Sequence, residues 1–165
     1  MKTDNRSNDT INDMLKVGTD DHPAIVVPGG PTVTYESLRL QISSLSKQLN
    51  DCGISKNDRV AIVLGNGIEN IVSFLAVTLS GTAAPLNPSY TMDEFKFYLE
   101  DTRASALITP VDTFEDAKKS ASDKTLLISV GSDTDGVVKF SVNGDLKKPK
   151  TGLEITPEDI ALVLH

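Results

Sequence analysis

Apolar residues along the chain recur with two alternating spacings, one typical of buried strands and one typical of amphipathic helices. Residues 59–64 form a nearly continuous apolar run that fits a strand buried on both faces. The apolar residues of 68–79 then recur at helical spacing. Three further strands are predicted at 82–86, 106–109 and 125–130, with helices between them. This order predicts an α/β fold, with a mostly parallel sheet, right-handed crossovers and helices on both faces.

Capping residues mark the ends of two of the predicted helices. Thr34 precedes a stripe of apolar side chains at helical spacing, and its hydroxyl is placed to accept a free N–H of the first turn. Gly53 follows that stripe and supplies a left-handed stop. Thr91 and Glu94 have the spacing of a capping box, in which each side chain accepts from the backbone N–H of the other residue.

The two ends of the chain add smaller predicted elements. Residues 1–18 are predicted to be a polar tail followed by a short amphipathic helix, and residues 19–165 form the main body. Gly29-Gly30 is placed to turn a small hairpin that leads into the first long helix. Residues 137–142 predict an antiparallel strand that ends in a tight Asn143-Gly144 turn.

Residues 160–164 predict a very apolar strand, which follows a single capped turn at 156–159. Each large side chain of such a strand contributes about 1.5–3 kcal/mol when buried, whereas a whole domain is stable by only about 5–15 kcal/mol. A strand in last place, with no crossover to shield it, risks leaving that surface bare. We therefore expect that the polypeptide is cut here and that more chain normally follows Leu164. The alternative is a well-packed terminal strand paired inside the sheet.

Composition and charge exclude several classes of function. The 165 residues are 39% hydrophobic and 24% charged, which excludes a chain disordered throughout. Sixteen Lys and Arg against 23 Asp and Glu give a net charge of -7, so we expect no nucleic-acid partner. One cysteine and two histidines supply neither an internal disulfide nor a structural zinc site. No apolar run in the sequence is long enough to span a bilayer, and the cysteine usage fits a reducing compartment.

A glycine pair follows the first long strand, where a dinucleotide-binding fingerprint would lie. Gly65-Asn66-Gly67 precedes a helix, but the third glycine position of the fingerprint is occupied by Asn70. The next strand also ends without an Asp or Glu that could bind a ribose. We favour a tight turn in which Asn66 caps the helix and Glu69 completes the box. A nucleotide-dependent oxidoreductase is the alternative.

Few side chains offer acid–base or nucleophilic chemistry. His22 is interpreted as part of a solvated turn, and Cys52 as a small apolar filler. His165 differs by its position, because it lies at the carboxyl end of a predicted parallel strand, where open α/β sheets bind ligands. Residues 87–90 also follow a strand's carboxyl end, and they either line a crevice or form a rigid proline turn that leads to the Thr91 cap.

An ordered set of short motifs covers residues 19–165. The first is Val33-Thr34-Tyr35-Glu36-Ser37-Leu38, which is similar to the pattern Leu-Thr-Tyr-x-x-Leu with valine in place of the first leucine. The later motifs are Asp58-Arg59-Val60-Ala61-Ile62, Ala84-Pro85-Leu86-Asn87-Pro88-Ser89-Tyr90-Thr91, Ala106-Leu107-Ile108-Thr109 and Asp159-Ile160-Ala161-Leu162-Val163-Leu164-His165. In order and spacing this set resembles the N-terminal portion of the adenylate-forming acyl-CoA synthetases. A glycine usual in that family aligns with Ser80, and Gly81 follows one place later.

The resemblance implies a fold and an activity. Residues 19–165 would be the N-terminal part of the AMP-binding domain, an incomplete subdomain cut just before the family's phosphate loop. The implied reaction begins when a small-molecule carboxylate attacks the ATP α-phosphate, giving an acyl-adenylate and pyrophosphate. The coenzyme A thiol then displaces AMP. ATP, magnesium and coenzyme A are the implied cofactors, and their binding sites lie mostly outside this chain.

Within the family, residues 94–101 and the terminal Leu164-His165 look most like the oxalate-CoA ligase branch, the peroxisomal coenzyme A synthetase type. 4-Coumarate-CoA ligases and medium-chain fatty acyl-CoA synthetases are the near neighbours. This branch implies a cytoplasmic or peroxisomal location. By this resemblance, His165 would be a cofactor-binding residue next to the phosphate loop. No residue of this chain is assigned a catalytic role. Five residues would have a structural role only, namely Thr34, Tyr35, Pro85, Asn87 and Pro88.

We therefore expect an inactive N-terminal fragment of an ATP-dependent acid-CoA ligase, of the oxalate type. The alternative from another class is a non-catalytic binding or regulatory module with a flavodoxin-like form.

Overall fold

The alternating apolar segments build a layered α/β structure in the computed structural model, which describes residues 10–143, 148–149 and 154–164. The helices of this described part are α1 (Ile11–Leu15), α2 (Tyr35–Asp51), α3 (Ile68–Thr78), α4 (Met92–Asp101) and α5 (Glu115–Ser120). Its strands are β1 (Pro23–Val26), β2 (Thr32–Thr34), β3 (Arg59–Ile62), β4 (Thr82–Pro85), β5 (Ala106–Pro110), β6 (Leu126–Ser132) and β7 (Val138–Asn143).

The main sheet has the strand order β4-β3-β5-β6-β7. Strands β3 to β6 pair in parallel, and β7 pairs antiparallel with β6. The mostly parallel sheet and the antiparallel strand near residue 140 are thus confirmed. Strands β1 and β2 form the predicted hairpin as a separate antiparallel pair.

Both faces of the sheet are covered by helices, as the continuous apolar run of β3 predicts. Val60 and Ile62 lie in a buried cluster with apolar side chains of α2 and α3. Ala61, from the opposite face, lies in a second cluster with Phe95 of α4 and Ala117 of α5. Successive strand residues point to opposite faces, so a strand with helices on both sides must be apolar at every position.

The caps predicted for α2 and α4 are formed. The Thr34 hydroxyl accepts from the Ser37 N–H at 3.2 Å, and Thr91 and Glu94 form both bonds of the capping box. Gly53 has φ +87°, the left-handed conformation that stops α2. Asn143 ends β7, whereas Gly144 of the predicted turn lies outside the described residues.

The predicted strand at 160–164 is wrong in extent, because only Leu162 forms a bridge, with Ala83 of β4. The alternative of a packed strand inside the sheet is also wrong. The segment lies on the open edge of β4, and the side chains of Ile160, Leu162 and Leu164 are 64%, 40% and 70% exposed. An edge position leaves one side of a strand without neighbours. No helix among the described residues is long and apolar enough to cross a membrane.

Candidate functional site

The loops that follow β3 and β4 lie side by side at one end of the sheet. Ile62 pairs with Pro85 and with Ile108, so the carboxyl ends of β3 and β4 are level, and β5 extends two residues further in the same direction. The loops 65–67 and 87–90 therefore emerge at the same end, which we call the carboxyl edge together with residues 163–164. This is the end at which open α/β sheets bind ligands.

The 65–67 loop corrects the predicted cap. Gly67 is the N-cap of α3, and a glycine at this position provides no side-chain hydrogen bond to the first turn. Asn66 is exposed, and Glu69 instead accepts from the Ser132 hydroxyl of β6 at 2.5 Å. The loop is closed by Asn70, whose side-chain amide donates to the Gly65 carbonyl at 3.3 Å. The predicted capping box fails because a strand 63 residues further along the chain supplies Glu69 with its partner.

The 87–90 loop forms a rigid wall of the carboxyl edge. The Asn87 side-chain oxygen accepts from the Ser89 N–H at 3.0 Å, and its carbonyl accepts from the Tyr90 N–H at 3.1 Å. The Tyr90 ring stacks on Tyr98 with 4.8 Å between ring centroids. A hydrogen bond with Tyr98, together with burial, raises the pKa of the Tyr90 hydroxyl. The geometry agrees with the interpretation of this segment as a turn that leads to the Thr91 cap.

The segment 160–164 runs parallel to β4 and ends at the carboxyl edge. The Ala83 N–H donates to the Ala161 carbonyl at 2.9 Å, and the Val163 N–H donates to the Ala83 carbonyl at 2.9 Å. The buried Thr82 hydroxyl adds a bond of 2.7 Å to the Ile160 carbonyl. Three hydrogen bonds therefore hold the segment in the direction that a further parallel strand would take.

An acidic residue anchors the start of this segment. The Asp159 carboxylate accepts from the Thr156 N–H at 2.8 Å and from the Thr156 hydroxyl at 3.0 Å, which closes the predicted turn. It also forms an ion pair with Lys56 at 3.3 Å. The bonds from Thr156, with Lys56 in support, hold the pKa of the Asp159 carboxyl below its ordinary value.

Of the three candidate side chains, the structure describes His22 and Cys52. His165 lies outside the described residues, and Leu164 is the residue described before it. His22 is exposed and stacks on Tyr35, with 6.5 Å between ring centroids. Cys52 is 6% exposed in the core, which agrees with its interpretation as an apolar filler, and burial raises the pKa of its thiol. Within the described ranges, His, Cys, Asp and Glu side chains form no group of three or more that could hold a metal ion.

Sequence reasoning missed the Glu69–Ser132 contact and the role of Asn70 at the carboxyl edge. No local signal marks the first, since the two residues belong to different elements. The second had a weak signal, because asparagine side chains often bond to nearby backbone groups at turns. Taken together, the carboxyl edge offers a rigid wall, an open loop and a parallel segment on which a ligand-binding loop could be built.

Comparison with known proteins shows the family. The family described as AMP-binding enzyme matches residues 16–165. The chain is 34% identical to the "Probable CoA ligase CCL9" of Humulus lupulus, over 96% of this chain and 32% of the relative. It is also 34% identical to the "Oxalate--CoA ligase" of Arabidopsis thaliana, over 88% of this chain and 29% of the relative. The chain thus spans about a third of the length of these curated relatives.

Solved structures agree in fold. A putative long-chain-fatty-acid CoA ligase from Rhodopseudomonas palustris superposes with a TM-score of 0.63 at 23% identity, over 87% of this chain and 39% of that one. O-succinylbenzoate coenzyme A synthetase from Bacillus subtilis, in complex with ATP and magnesium ion, superposes with a TM-score of 0.52 at 26% identity. That match covers 58% of this chain and 26% of the other. The chain belongs to the AMP-binding enzyme family and forms the N-terminal part of an adenylate-forming domain.

Proposed function

We propose that this chain is the N-terminal part of an ATP-dependent, AMP-forming acid-CoA ligase whose carboxylate substrate is oxalate. The observation that carries the proposal is the 34% identity to an oxalate-CoA ligase over 88% of the chain. A second oxalate-CoA ligase, from Saccharomyces cerevisiae, is 30% identical over 86% of the chain. Two relatives with one substrate, from a plant and a yeast, support oxalate over the other acids of the family.

The parallel segment on β4 supports the same assignment. In the family's motif order, a strand with this sequence comes immediately before the phosphate loop. Here the segment is bonded to Ala83 and Thr82 in the parallel direction, so it directs the backbone toward the carboxyl edge. We assign His165 to the position next to that loop, where it would contact the cofactor.

The described residues alone do not fit magnesium or the ATP phosphates. Adenylate formation needs backbone amides around the phosphates and cationic groups that balance the charge on the phosphoryl group. The carboxyl edge carries the carboxylate of Glu69 already bonded to Ser132, and the described part holds no group of metal ligands. We assign the 165-residue chain the role of scaffold, and we expect it to be inactive without the rest of the domain.

An ATP–pyrophosphate exchange assay tests this assignment. The 165-residue chain should give no oxalate-dependent exchange above the background without enzyme. The reading frame downstream of His165 should encode a Ser/Thr/Gly-rich loop that ends in Pro-Lys-Gly, and the extended protein should exchange with oxalate. Exchange by the 165-residue chain would contradict the scaffold role. Preference of the extended protein for 4-coumarate or a medium-chain fatty acid would overturn oxalate as the substrate and leave the family unchanged.

A cytoplasmic or peroxisomal location, which the resemblance to the oxalate-CoA ligase branch implies, is a further part of the proposal. Fluorescence microscopy of the extended protein, tagged at its N-terminus so that a C-terminal targeting tripeptide stays free, tests it. Fluorescence in a secretory compartment would contradict this location.

A further inference from the structure

A cavity runs along α4 and reaches the amino ends of β5 and β6. It has a volume of about 720 Å³ and lies between α4 and α5, above the residues that precede β5 and β6. Four cationic side chains line it, namely Lys96, Arg103, Lys119 and Lys124. We call this cavity the basic groove. Its cations are notable because the whole chain has a net charge of -7.

The cations of the basic groove outnumber its acidic residues, although one of them, Lys119, also interacts electrostatically with the Glu115 carboxylate of α5. Asp93 and Glu100 also line the groove, so its lining carries four cations against two carboxylates. Elsewhere, Lys47, Lys56 and Lys118 each pair with an acidic residue at 3.3 Å or less. The lining of the groove therefore has an excess of positive charge, which attracts anions.

Arg103 has a backbone conformation that is more usual for glycine. Arg103 follows α4 with φ +49°, in the left-handed region that glycine adopts most easily. Its carbonyl accepts from the Arg59 guanidinium at 3.2 Å, and the Thr102 carbonyl accepts from the same group at 2.7 Å. An arginine thus occupies a position where glycine would be less strained, and its side chain lines the basic groove.

The size and charge of the groove indicate which class of ligand it could bind. A volume of about 720 Å³ lies within the range of cavities that hold small molecules. A guanidinium binds phosphate oxygens through two parallel hydrogen bonds, and lysines act as point charges around them. We propose that the basic groove binds a small anion with a polyphosphate chain, either a nucleotide or the inorganic chain. The inference does not rest on the proposed function, because the residues that line the groove do not include any residue of the carboxyl edge.

Titration calorimetry of the 165-residue chain with inorganic tripolyphosphate tests the proposal. Arg103→Gly removes the cation and suits the left-handed backbone, so it should weaken binding by about fivefold without lowering the melting temperature. Lys119→Gln should weaken binding to a similar degree. Lys47→Gln makes the same charge change on α2, outside the groove, and should leave binding unchanged. Added salt should weaken binding, because it screens exposed charges.

A parallel titration with ADP separates the two sources of a polyphosphate chain. Tighter binding of ADP than of tripolyphosphate, lost in Arg103→Gly, assigns the groove to nucleotides, and the reverse order assigns it to the inorganic chain. The proposal is overturned if neither anion binds at millimolar concentration, or if Lys47→Gln weakens binding as much as Arg103→Gly. It is also overturned if a decaglutamate peptide binds and tripolyphosphate does not, since the groove would then be a protein-binding surface.

Discussion

Ala83 of β4 and Leu162 form a parallel bridge that fastens the end of the chain to the edge of the main sheet. The Ala83 N–H and carbonyl bond to the backbone of Ala161 and Val163, each at 2.9 Å. The bridge matters because it gives the segment 160–164 a defined direction although most of its side-chain surface is exposed. It also explains why Thr82, next to Ala83, is a buried polar residue, since its hydroxyl serves the same segment.

Replacing Thr82 with valine should loosen this segment. The change keeps the shape of the side chain but removes the donor to the Ile160 carbonyl, a bond of 2.7 Å in a buried site. The loss of one such bond costs about 1 kcal/mol, so hydrogen exchange of the Val163 amide should become about fivefold faster. Thr113→Val, at an exposed position outside this segment, is the control and should leave that rate unchanged. Equal rates in Thr82→Val and the wild type would show that the hydroxyl does not hold the segment.

A methyl group at Gly81 should destabilise the whole domain. A Cβ there would lie 2.7 Å from the Asp58 carbonyl oxygen and 2.9 Å from the Ser55 carbonyl oxygen, and backbone atoms cannot rotate away. We expect Gly81→Ala to lower the free energy of unfolding by about 2 kcal/mol, measured by urea denaturation. Gly131→Ala has open space around its Cβ and should change that free energy by less than about 0.5 kcal/mol. A similar loss in both variants would exclude the close approach as the cause.

Lowering the pH should break the hydrogen bonds that close the turn at residues 156–159. The bonds from Thr156 hold the pKa of Asp159 below its ordinary value of 3.8. The stabilisation by this carboxylate is therefore complete above the unfolded pKa and is lost as the pH falls through the folded value, below 3.8. The Val163 amide chemical shift should report the release in an NMR titration from pH 6 to pH 2. Asp159→Asn has no charge to lose and should flatten that curve, whereas an unchanged curve would assign the transition to another group.

Removing exposed apolar surface from the terminal segment should reduce the binding of a hydrophobic dye and leave the free energy of unfolding nearly unchanged. Leu164 is 70% exposed, and Ile160 and Leu162 precede it at alternate positions. Leu164→Asp should lower the fluorescence of a hydrophobic dye, while the free energy of unfolding changes by less than about 0.5 kcal/mol. Leu40→Asp, at a 66% exposed site on α2, is the matched control and should leave the dye signal near that of the wild type. An equal decrease in both variants would argue against a continuous apolar stripe at the segment.

The elements that could be predicted are those whose cause lies within a few residues. The Thr91–Glu94 capping box joins residues three apart, and both of its bonds are formed. The cap at Asn66 was wrong although it follows the same logic, because Glu69 bonds to Ser132 and Gly67 takes the N-cap position. A capping residue can be identified from its neighbours only while no distant group competes for its side chain.

The family motif that leads up to His165 was also identified from sequence, but its surroundings were not. The apolar run at 160–164 predicted a strand with neighbours, whereas the described structure has a single bridge at an open edge. The exposure of these side chains depends on which other elements pack against them. The apolar sequence of residues 160–164 does not specify those elements.

The sequence by itself determined the order of strands and helices, the caps of α2 and α4, and the burial of β3 on both faces. Each follows from periodicity and from hydrogen bonds between near neighbours, which any chain with these residues would favour. Only the tertiary structure decided the strand order β4-β3-β5-β6-β7, the attachment of Leu162 to Ala83 and the grouping of Arg103 with Lys119 beside one cavity. These depend on contacts between residues far apart in the chain, where the packing of the whole core selects one arrangement.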